Sequence, residues 1–382
     1  MTFRFEPTEL TPPERALQQE VRSFLAEELP RGSYAPGLGM SAPKDPAFSK
    51  RLAQRGWLGM ALPTRYGGHD RSAVDRFIVV EELLRWGAPV GHHWVADRQT
   101  GSVIARFGTD DQKERFLPAI CRGELSFSIG MSEPDSGSDL ASVQTRATRD
   151  EGGWTLNGTK IWTSGAHEND WFVVLCRTTP VEEAGDKRRG LSQLLVDLRS
   201  PGLEISPIPF LDGGLHFNEV VLTDVFVPDE LVLGEVGMGW AQNTSELAFE
   251  RGGPDRWLST YLVVEEWLRR HQGSDLGERA LDFLGGAVAT WWSIRNLSLT
   301  VARMIDRGEA PALESSLVKE MGTRFEQDVV AAVNDLTALE PTLEDDDLFV
   351  RVLVAATLTA PSFTIRGGTI EILRSVAAKG LR

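Results

Sequence analysis

The segment IGMSEPDSGSDLAS, from Ile129 to Ser142, carries four hydroxyl and three carboxylate groups, all of them after the apolar run FSIGM, whose last three residues open the segment. Hydroxyl groups and turn N–H groups at the end of a strand can bind a ligand that has a polar rim. Taken alone, a Ser-Gly-Ser-Asp run is more often a turn or a helix cap. Its meaning therefore depends on the segments around it.

The segment GGWTLNGTKIWTSG, a few residues downstream, alternates apolar and polar residues as a half-buried strand does. The pair Asn157-Gly158 in its middle is typical of two-residue hairpin turns, which predicts a hairpin there. Trp162 and Ser164 follow at the end of the second run. An isolated tryptophan is more often a core residue than the wall of a binding site.

A third segment, SELAFERGGPDR, offers carboxylates for proton transfer. Glu246 and Glu250 are four residues apart and therefore lie on one face of a helix, with Arg251 next in the chain. A carboxylate in a dry pocket has a raised pKa, which suits it to act as a general base. The alternative is that both glutamates are solvated helix charges and that Arg251 is their ion-pair partner.

The elements that position these residues change in type twice along the chain. Helical periodicity extends to about residue 121, beginning at Pro12 with a buried face formed by Leu17, Val21, Phe24 and Leu25. Strand-like alternation follows, and helical patterns return near residue 234. We predict three domains, over 1–121, 122–233 and 234–382.

Composition excludes several classes of function. The chain has 382 residues and a net charge of −15, which disfavours nucleic acid and anionic membrane surfaces as partners. No signal-peptide core or long uncharged apolar run occurs, so the expected location is the cytoplasm. Cys121 and Cys176 are expected to be buried and free. We expect no metal site and no Rossmann-type NAD site, because neither HExxH nor a strand-associated GxGxxG motif is present.

Together these segments resemble the acyl-CoA dehydrogenase family. The resemblance rests on MSEPDSGSDLAS and LNGTKIWTSG, and also on GMALPTRYGG, FGTDDQKERFLP and VVLTDVFVPDELVLGEVGMGW; it covers essentially the whole chain. It implies an α+β multidomain fold with an N-terminal helical domain, a middle β-barrel-like domain and a C-terminal four-helix bundle. It also implies FAD as cofactor, α,β-desaturation of an acyl-CoA thioester, and an electron-transfer flavoprotein as acceptor.

The resemblance assigns roles around the flavin ring. Ile129 and Met131 would line the flavin, and Ser132 would bond its pyrimidine edge. Trp162 would lie against the ring, and Ser164 would bond near N5. An isoalloxazine ring has apolar faces and a rim of donors and acceptors, so residues of these types suit it.

Further residues are assigned by the same resemblance to the substrate and to the FAD tail. Ser138 would lie near the phosphate arm of acyl-CoA, and Arg251 would belong to the substrate site. Thr369 would reach the FAD pyrophosphate at a glycine-led turn, and Glu371 would lie near the ribityl or adenosine part.

The resemblance divides on the catalytic base. One branch of the family takes its carboxylate from a C-terminal YEGT motif, but here Gly367 stands at that position and has no side chain. Another branch places the base on the first long helix of the C-terminal domain, directly before an arginine. That pattern makes Glu250 the first choice and Glu246 its competitor. Gly367 would keep one role, because its backbone N–H can polarise the thioester carbonyl.

Two glycines beside the proposed base suggest a roomy pocket. Gly252 and Gly253 would leave side-chain-free space there, Gly367 would add more, and Pro254 would end the helix. We therefore expect a bulky or branched acyl group, such as a polycyclic or steroid-derived one.

Two family motifs that hold the FAD tail in homotetramers are missing. RRHQGSDLGERA replaces an RKTFG run, and NDLTALEPTLEDDD replaces a QIFGGNG segment. Either other residues hold the tail, with Arg269 and Arg270 as candidates, or a related subunit supplies the contacts. The assembly is accordingly a homo-oligomer, dimeric or tetrameric, or a heterotetramer. Alternative functions are an acyl-carrier-protein dehydrogenase, an acyl-CoA oxidase, or a non-catalytic subunit of a heteromeric enzyme.

Overall fold

The computed structural model describes residue 5 and residues 8–39, 42–337, 340, 342 and 345–380, without the side chains of residues 246–250. The α-helices of this part are α1 (Pro12–Glu28), α2 (Pro46–Gln54), α3 (Ala73–Trp86), α4 (Gly101–Phe107), α5 (Asp110–Cys121), α6 (Val181–Ala184), α7 (Gly239–Glu250), α8 (Tyr261–Arg270), α9 (Gly277–Asp306), α10 (Ala312–Leu336), α11 (Leu348–Phe363) and α12 (Ile370–Gly380). The strands are β1 (Phe127–Gly130), β2 (Arg146–Asp150), β3 (Gly153–Ser164), β4 (Trp171–Arg177), β5 (Leu191–Asp197), β6 (Leu203–Ile208) and β7 (Phe217–Pro228). This order of helices, strands and helices confirms the predicted fold class.

The chain divides into two compact units. The helical unit comprises Met1–Pro43, Ser72–Val90 and Leu247–Arg382, and the sheet unit comprises Lys44–Arg71 and Gly91–Glu246. Each unit is therefore assembled from segments that are distant in sequence. The three-domain division at residues 122 and 234 stays a prediction.

Helix α1 shows how the sequence sets up the helical unit. It begins at Pro12, as predicted, because proline lacks the N–H that the first helical position leaves unpaired. The face formed by Leu17, Val21, Phe24 and Leu25 is buried. Deeper in the unit, α10 packs against α9, α11 and α12, which builds the bundle that carries the C-terminal turn.

The sheet unit contains one sheet of seven strands. Its order is β1-β4-β2-β3-β7-β6, with β5 on the free side of β4. Strand β1 pairs with β4 in parallel, whereas β3 pairs with β2 and β7 in antiparallel fashion. The two strands that end in the polar segments of interest, β1 and β3, are thus both held by neighbours on the sheet.

The hairpin predicted at Asn157-Gly158 is wrong. Both residues lie inside β3, and the turn between β2 and β3 is at residues 151–152 instead. Asn157 exchanges hydrogen bonds with Asp224 across a bulge between β3 and β7. Glycine is required at 158 because a Cβ there would lie 2.7 Å from the Thr145 backbone. The pair thus serves close packing inside a strand rather than a chain reversal.

Both cysteines are buried and free, as predicted. Burial raises the pKa of the Cys121 thiol to about 11 and that of the Cys176 thiol to about 12. Among the described residues, none of the helices combines the length and apolarity that a membrane crossing requires.

Candidate active site

In the sheet unit the polar segment begins where β1 ends. Gly130 closes the strand, and a Cβ there would lie 2.3 Å from the Phe172 ring, so only glycine lets the chain pass. The following Ser132 is half-buried, and its carbonyl accepts a hydrogen bond of 3.0 Å from the Ile161 N–H of β3. Within the described residues the Ser132 hydroxyl has no partner, so it is available to a ligand.

Trp162 is presented by a β-bulge at the end of β3. The register passes from Lys160 opposite Val220 to Thr163 opposite Asn218, which leaves one extra residue on β3. At that bulge Trp162 takes the left-handed conformation, with φ of 60°, and 53% of the residue is exposed. Bulges re-aim side chains beside functional sites, and a large exposed indole in a strained conformation indicates a binding surface.

Side-chain hydrogen bonds fix the backbone at Ser164. Its carbonyl accepts a 2.7 Å hydrogen bond from the Ser128 hydroxyl, which in turn accepts one of 2.8 Å from the Asn169 amide. Asn218 fixes the preceding carbonyl, that of Thr163, at 2.9 Å. In the part of the chain that the structure describes, the Ser164 hydroxyl has no partner of its own.

The other predicted residues of the sheet unit differ in burial. Ile129 is half-buried and packs on the main core of the sheet, while Met131 packs on a small cluster of Val143, Leu175 and Leu191. Ser138 is exposed on a loop that an ion pair of 2.7 Å between Asp139 and Lys187 holds.

Residues 131–136 reverse the chain after β1, and we call this segment the Ser132 turn. Two charged residues that pack behind it were not predicted. Lys160 is fully buried and Glu133 is 7% exposed, and their side chains form an ion pair of 2.8 Å. Burial raises the pKa of Glu133, but the Lys160 charge and backbone N–H groups lower it more. The pKa of this carboxyl group therefore lies below the usual value for a glutamate. Alternation along β3 could have indicated an inward-facing Lys160, because Leu156, four residues earlier, is also buried.

These features test whether the sheet unit fits a flavin. A flat, exposed indole and two hydroxyls that have no partner among the residues described complement a planar ring that has apolar faces and a polar rim. The residues present therefore fit the group that the sequence implied.

In the helical unit the candidate residues surround a turn between α11 and α12. Gly367 and Gly368 have φ of 66° and 93°, which glycine adopts without strain. The Gly367 carbonyl accepts from Arg251 Nε at 3.2 Å, and the Gly368 carbonyl accepts from Lys319 Nζ at 2.5 Å. Among the described residues, the N–H groups of Gly367, Gly368 and Thr369 have no acceptor. Successive free N–H groups of this kind form a concavity that attracts anions.

Buried charges fix the same turn. Arg366 donates to Glu326 at 2.7 Å, and Arg256 pairs with Asp255 at 3.0 Å. Burial raises the pKa of Glu326, and the Arg366 charge opposes that shift. A Cβ built on Gly367 would lie 3.0 Å from the Arg256 guanidinium.

The proposed base, Glu250, lies at the end of a helix. Glu250 is the last residue of α7, but its side chain, like that of Glu246, lies outside the described residues. The structure does bring Arg251 against Gly367. Helix α7 thus ends four residues before Pro254, which instead begins a 3₁₀ turn over Pro254–Arg256.

The expectation of open space at Gly252 is wrong. Gly252 is buried, and a Cβ there would lie 2.6 Å from Val301 and 3.1 Å from the Ser315 hydroxyl. With Arg256 beside Gly367, these glycines permit close packing rather than leaving a void. They therefore give no support to a large pocket.

The residues assigned to the FAD tail lie at or near helix ends. The Thr369 hydroxyl accepts from the Ile372 N–H at 3.4 Å, so it caps α12. Glu371 is exposed in the first turn, where its own backbone N–H and the Thr369 hydroxyl lower its pKa. Arg269 pairs with Glu265 and Arg270 with Asp347. Nothing among the described side chains resembles a metal centre, as far as clusters of His, Cys, Asp and Glu show.

Comparison with known proteins places this geometry in a family. The acyl-CoA dehydrogenase N-terminal domain matches residues 11–124, and the acyl-CoA dehydrogenase middle domain matches residues 128–225. The acyl-CoA dehydrogenase FadE29 of Mycobacterium tuberculosis is 31% identical over 98% of both chains. FadE34 of the same organism is 35% identical over 86% of this chain, which spans only 45% of that longer protein.

A solved structure agrees over the full length. The "Tcur3481-Tcur3483 steroid ACAD" is 27% identical, with a TM-score of 0.84 and 98% of both chains covered. The relatives align with both the strand segments and the helical segments described above. This chain therefore belongs to the acyl-CoA dehydrogenase family of oxidoreductases.

Proposed function

We propose that this chain is an FAD-dependent acyl-CoA dehydrogenase that desaturates an acyl-CoA thioester between its α and β carbons. The observation that carries the proposal is the exposed Trp162 together with the hydroxyls of Ser132 and Ser164, which have no partner in the described part of the chain. A purely structural strand end would bury the indole or leave a small polar residue at the bulge, rather than hold a strained, exposed tryptophan.

The residues of the sheet unit would hold the ring. Trp162 would cover one face and exclude water, while Ile129 and Met131 would line the ring. The hydroxyls of Ser132 and Ser164 would hydrogen-bond its pyrimidine edge and the region of N5. Their backbones are already fixed by hydrogen bonds from Ile161 and Ser128, so little conformational freedom is lost on binding.

The residues of the helical unit would handle the thioester and the proton. Glu250 would take the α-proton, and the Gly367 N–H would donate to the thioester carbonyl, which acidifies that proton. FAD, when bound, supplies the acceptor for the β-hydrogen and its electron pair. Arg251 holds the Gly367 carbonyl at 3.2 Å and thereby orients the N–H groups of the turn.

The remaining residues would hold the two nucleotide-like tails. Ser138, exposed beside the Asp139–Lys187 ion pair, would meet the phosphate arm of acyl-CoA. Thr369 and Glu371, at the start of α12, would meet the FAD pyrophosphate and its ribityl or adenosine part. The N–H groups at residues 367–369, which have no acceptor among the described residues, favour an anion at this end of the helix.

The acyl group would be bulky, branched or steroid-derived. This part of the proposal rests on the similarity to a steroid acyl-CoA dehydrogenase, because the glycine positions give no support. The comparison to make is turnover of octanoyl-CoA against a sterol side-chain thioester. A strong preference for octanoyl-CoA would exclude the steroid-type assignment.

The assembly would be a homo-oligomer or a heterotetramer with a related subunit, and an electron-transfer flavoprotein would accept the electrons. The name of the steroid enzyme combines two designations, which supports a heteromer as an alternative to a homo-oligomer. Purifying the chain alone and counting FAD per subunit distinguishes the two. One FAD per chain supports the homo-oligomer, and substoichiometric FAD restored by a second subunit supports the heteromer.

The experiment that tests the function is the visible spectrum of the purified protein during titration with acyl thioesters. A yellow protein bleached by acyl-CoA is expected. Bleaching only by acyl-carrier-protein thioesters, or peroxide release in air, would indicate the dehydrogenase of carrier-bound substrates or the oxidase. A colourless protein that binds no FAD, alone or with a partner, would refute the proposal and leave the non-catalytic role.

A further inference from the structure

Lys160 and Glu133 form a buried ion pair that the proposed reaction does not use. Lys160 is fully buried in β3, and Glu133 directly follows Ser132 within the Ser132 turn. A buried ion pair is seldom retained for stability, since apolar residues of similar size often serve the core equally well or better. The presence of this pair therefore suggests that its charges have a specific role.

The carboxylate of Glu133 is fully engaged. Its Oε1 accepts from Lys160 Nζ at 2.8 Å and from the Thr145 N–H at 2.8 Å. Its Oε2 accepts from the Gln144 N–H at 2.6 Å. Glu133 thus anchors the ammonium of Lys160 to the chain that leads into β2, and the ammonium cannot turn away.

The ammonium so anchored reaches the Ser132 turn. Lys160 Nζ donates to the Met131 carbonyl at 3.1 Å, and the next residue, Ile161, donates its N–H to the Ser132 carbonyl at 3.0 Å. Two successive carbonyls of the turn are thus held by two successive residues of β3. The residue after them is Trp162, so one short piece of strand sets both the turn and the indole.

A cation on the Met131 carbonyl also changes the peptide that follows. It draws electron density from the Met131–Ser132 amide and makes the Ser132 N–H a stronger donor, since bonded groups polarise one another. Among the described residues the Ser132 N–H has no acceptor. A strengthened donor beside an unpartnered hydroxyl is suited to the electron-rich edge of a ligand.

We infer that Lys160, anchored by Glu133, is a positioning residue that fixes the Ser132 turn and Trp162 for the flavin and sets the donor strength of the Ser132 N–H. The inference rests on the proposed binding of FAD. An electron-rich, reduced pyrimidine edge gains more from a cation-polarised donor than an oxidised one does. The pair therefore favours the reduced cofactor as well as its placement.

The test compares the full-length wild-type protein with the double variant Lys160→Met, Glu133→Gln, which removes both charges together. We expect the variant to bind oxidised FAD at least tenfold more weakly. We expect its affinity for reduced FAD to fall by a further factor of about ten, which lowers the midpoint potential by about 30 mV. Affinities are measured by dialysis, and the potential by reductive titration against a reference dye.

A matched control separates positioning from general destabilisation. Leu156→Ala lies on the same strand, at a fully buried position four residues before Lys160. It should lower Tm without changing the ratio of the two FAD affinities. If the double variant lowers Tm in the same way and leaves that ratio unchanged, the pair is only structural and the inference is wrong.

A second variant covers the case in which the double variant does not fold. Glu133→Asp keeps both charges and shortens the anchor by one methylene, which withdraws the ammonium from the Met131 carbonyl. Its affinity ratio should move in the same direction by a smaller factor, and an unchanged ratio overturns the inference. A wild-type protein that binds no FAD would instead refute the proposed function itself.

Discussion

The candidate residues of the sheet unit and those of the helical unit are built in opposite ways. Around Ser132, Trp162 and Ser164, hydrogen bonds from neighbouring residues hold the backbone carbonyls, the Trp162 indole is exposed, and the two serine hydroxyls have no partner among the described residues. Around Gly367, charged side chains hold the carbonyls, and the N–H groups of residues 367–369 have no acceptor within the described part of the structure. The first region would recognise a ligand through side chains, and the second through the main chain.

This difference has a physical cause. A strand end next to a bulge presents alternating side chains, so chemistry there depends on residue type. A turn of two left-handed glycines has no side chains to offer, and its useful groups are N–H donors. If the helical turn contributes only donors, the proton must be taken by a residue elsewhere, which is the role proposed for Glu250.

The largest effect is expected from Glu250→Gln. The amide cannot accept the α-proton, so turnover should fall by about 10²–10⁴-fold, the usual contribution of a general base. FAD content and the oxidised spectrum should stay the same. Glu246→Gln is the matched control and should retain most activity. Near-full activity of Glu250→Gln with FAD bound would remove Glu250 from the mechanism.

The second-largest effect, on the free energy of unfolding, is expected from breaking the buried Lys160–Glu133 ion pair of the sheet unit. Glu133→Gln leaves Lys160 buried without its counter-charge, which costs about 3–5 kcal/mol in the free energy of unfolding near neutral pH. Because the folded state lowers the pKa of Glu133, its contribution is present above the unfolded pKa and is lost as pH falls through the folded value.

The pH dependence provides the check on that assignment. The difference in the free energy of unfolding between wild type and Glu133→Gln, measured in urea, should become smaller as pH falls below the ordinary glutamate pKa. If this difference stays constant down to the pH of acid unfolding, the carboxylate charge of Glu133 does not stabilise the Ser132 turn.

A smaller stability loss is expected from Gly367→Ala. A left-handed alanine costs about 1–2 kcal/mol, and the added methyl must also displace the Arg256 guanidinium, 3.0 Å from the Cβ position. Gly308→Ala is the control, because Gly308 has φ of 76° and nothing within 4 Å of its Cβ position. Equal losses for the two variants would show that Arg256 yields freely and that position 367 has room for a side chain.

The smallest change in stability should follow Trp162→Gly. Glycine relieves the left-handed strain of about 1–2 kcal/mol, while the lost edge contact with Phe217 costs about 0.5–1.5 kcal/mol. Unfolding of the protein without FAD should therefore stay nearly unchanged, but FAD affinity should fall. A large loss of stability would mean that Trp162 is a core residue after all.

Much of the fold was predictable because it depends on local periodicity. The start of α1 at Pro12 and its buried face follow from spacing alone. The hairpin at Asn157-Gly158 was wrong because the same dipeptide also suits a bulge, where Gly158 lets β3 pass Thr145 and Asn157 bonds Asp224. Tertiary packing, which a single sequence does not display, decided between the two.

The candidate site was predictable only where residue type carries the chemistry. Ser132, Trp162 and Ser164 stand out in the sequence, whereas the left-handed indole depends on a register change between β3 and β7. Lys160 and Glu133 have the appearance of surface charges until the strand's inward face is known. Open space was expected at Gly252 because the sequence does not reveal which neighbour packs against a glycine. In the structure Val301 occupies that space.

The burial of both cysteines has a practical consequence. With thiol pKa values of about 11 and 12, almost no thiolate exists near neutral pH, so alkylating reagents and mild oxidants should leave the native protein unmodified. A single cysteine introduced on the surface would then be the main reactive thiol. Site-specific dyes or spin labels could report on subunit pairing without first removing the native cysteines.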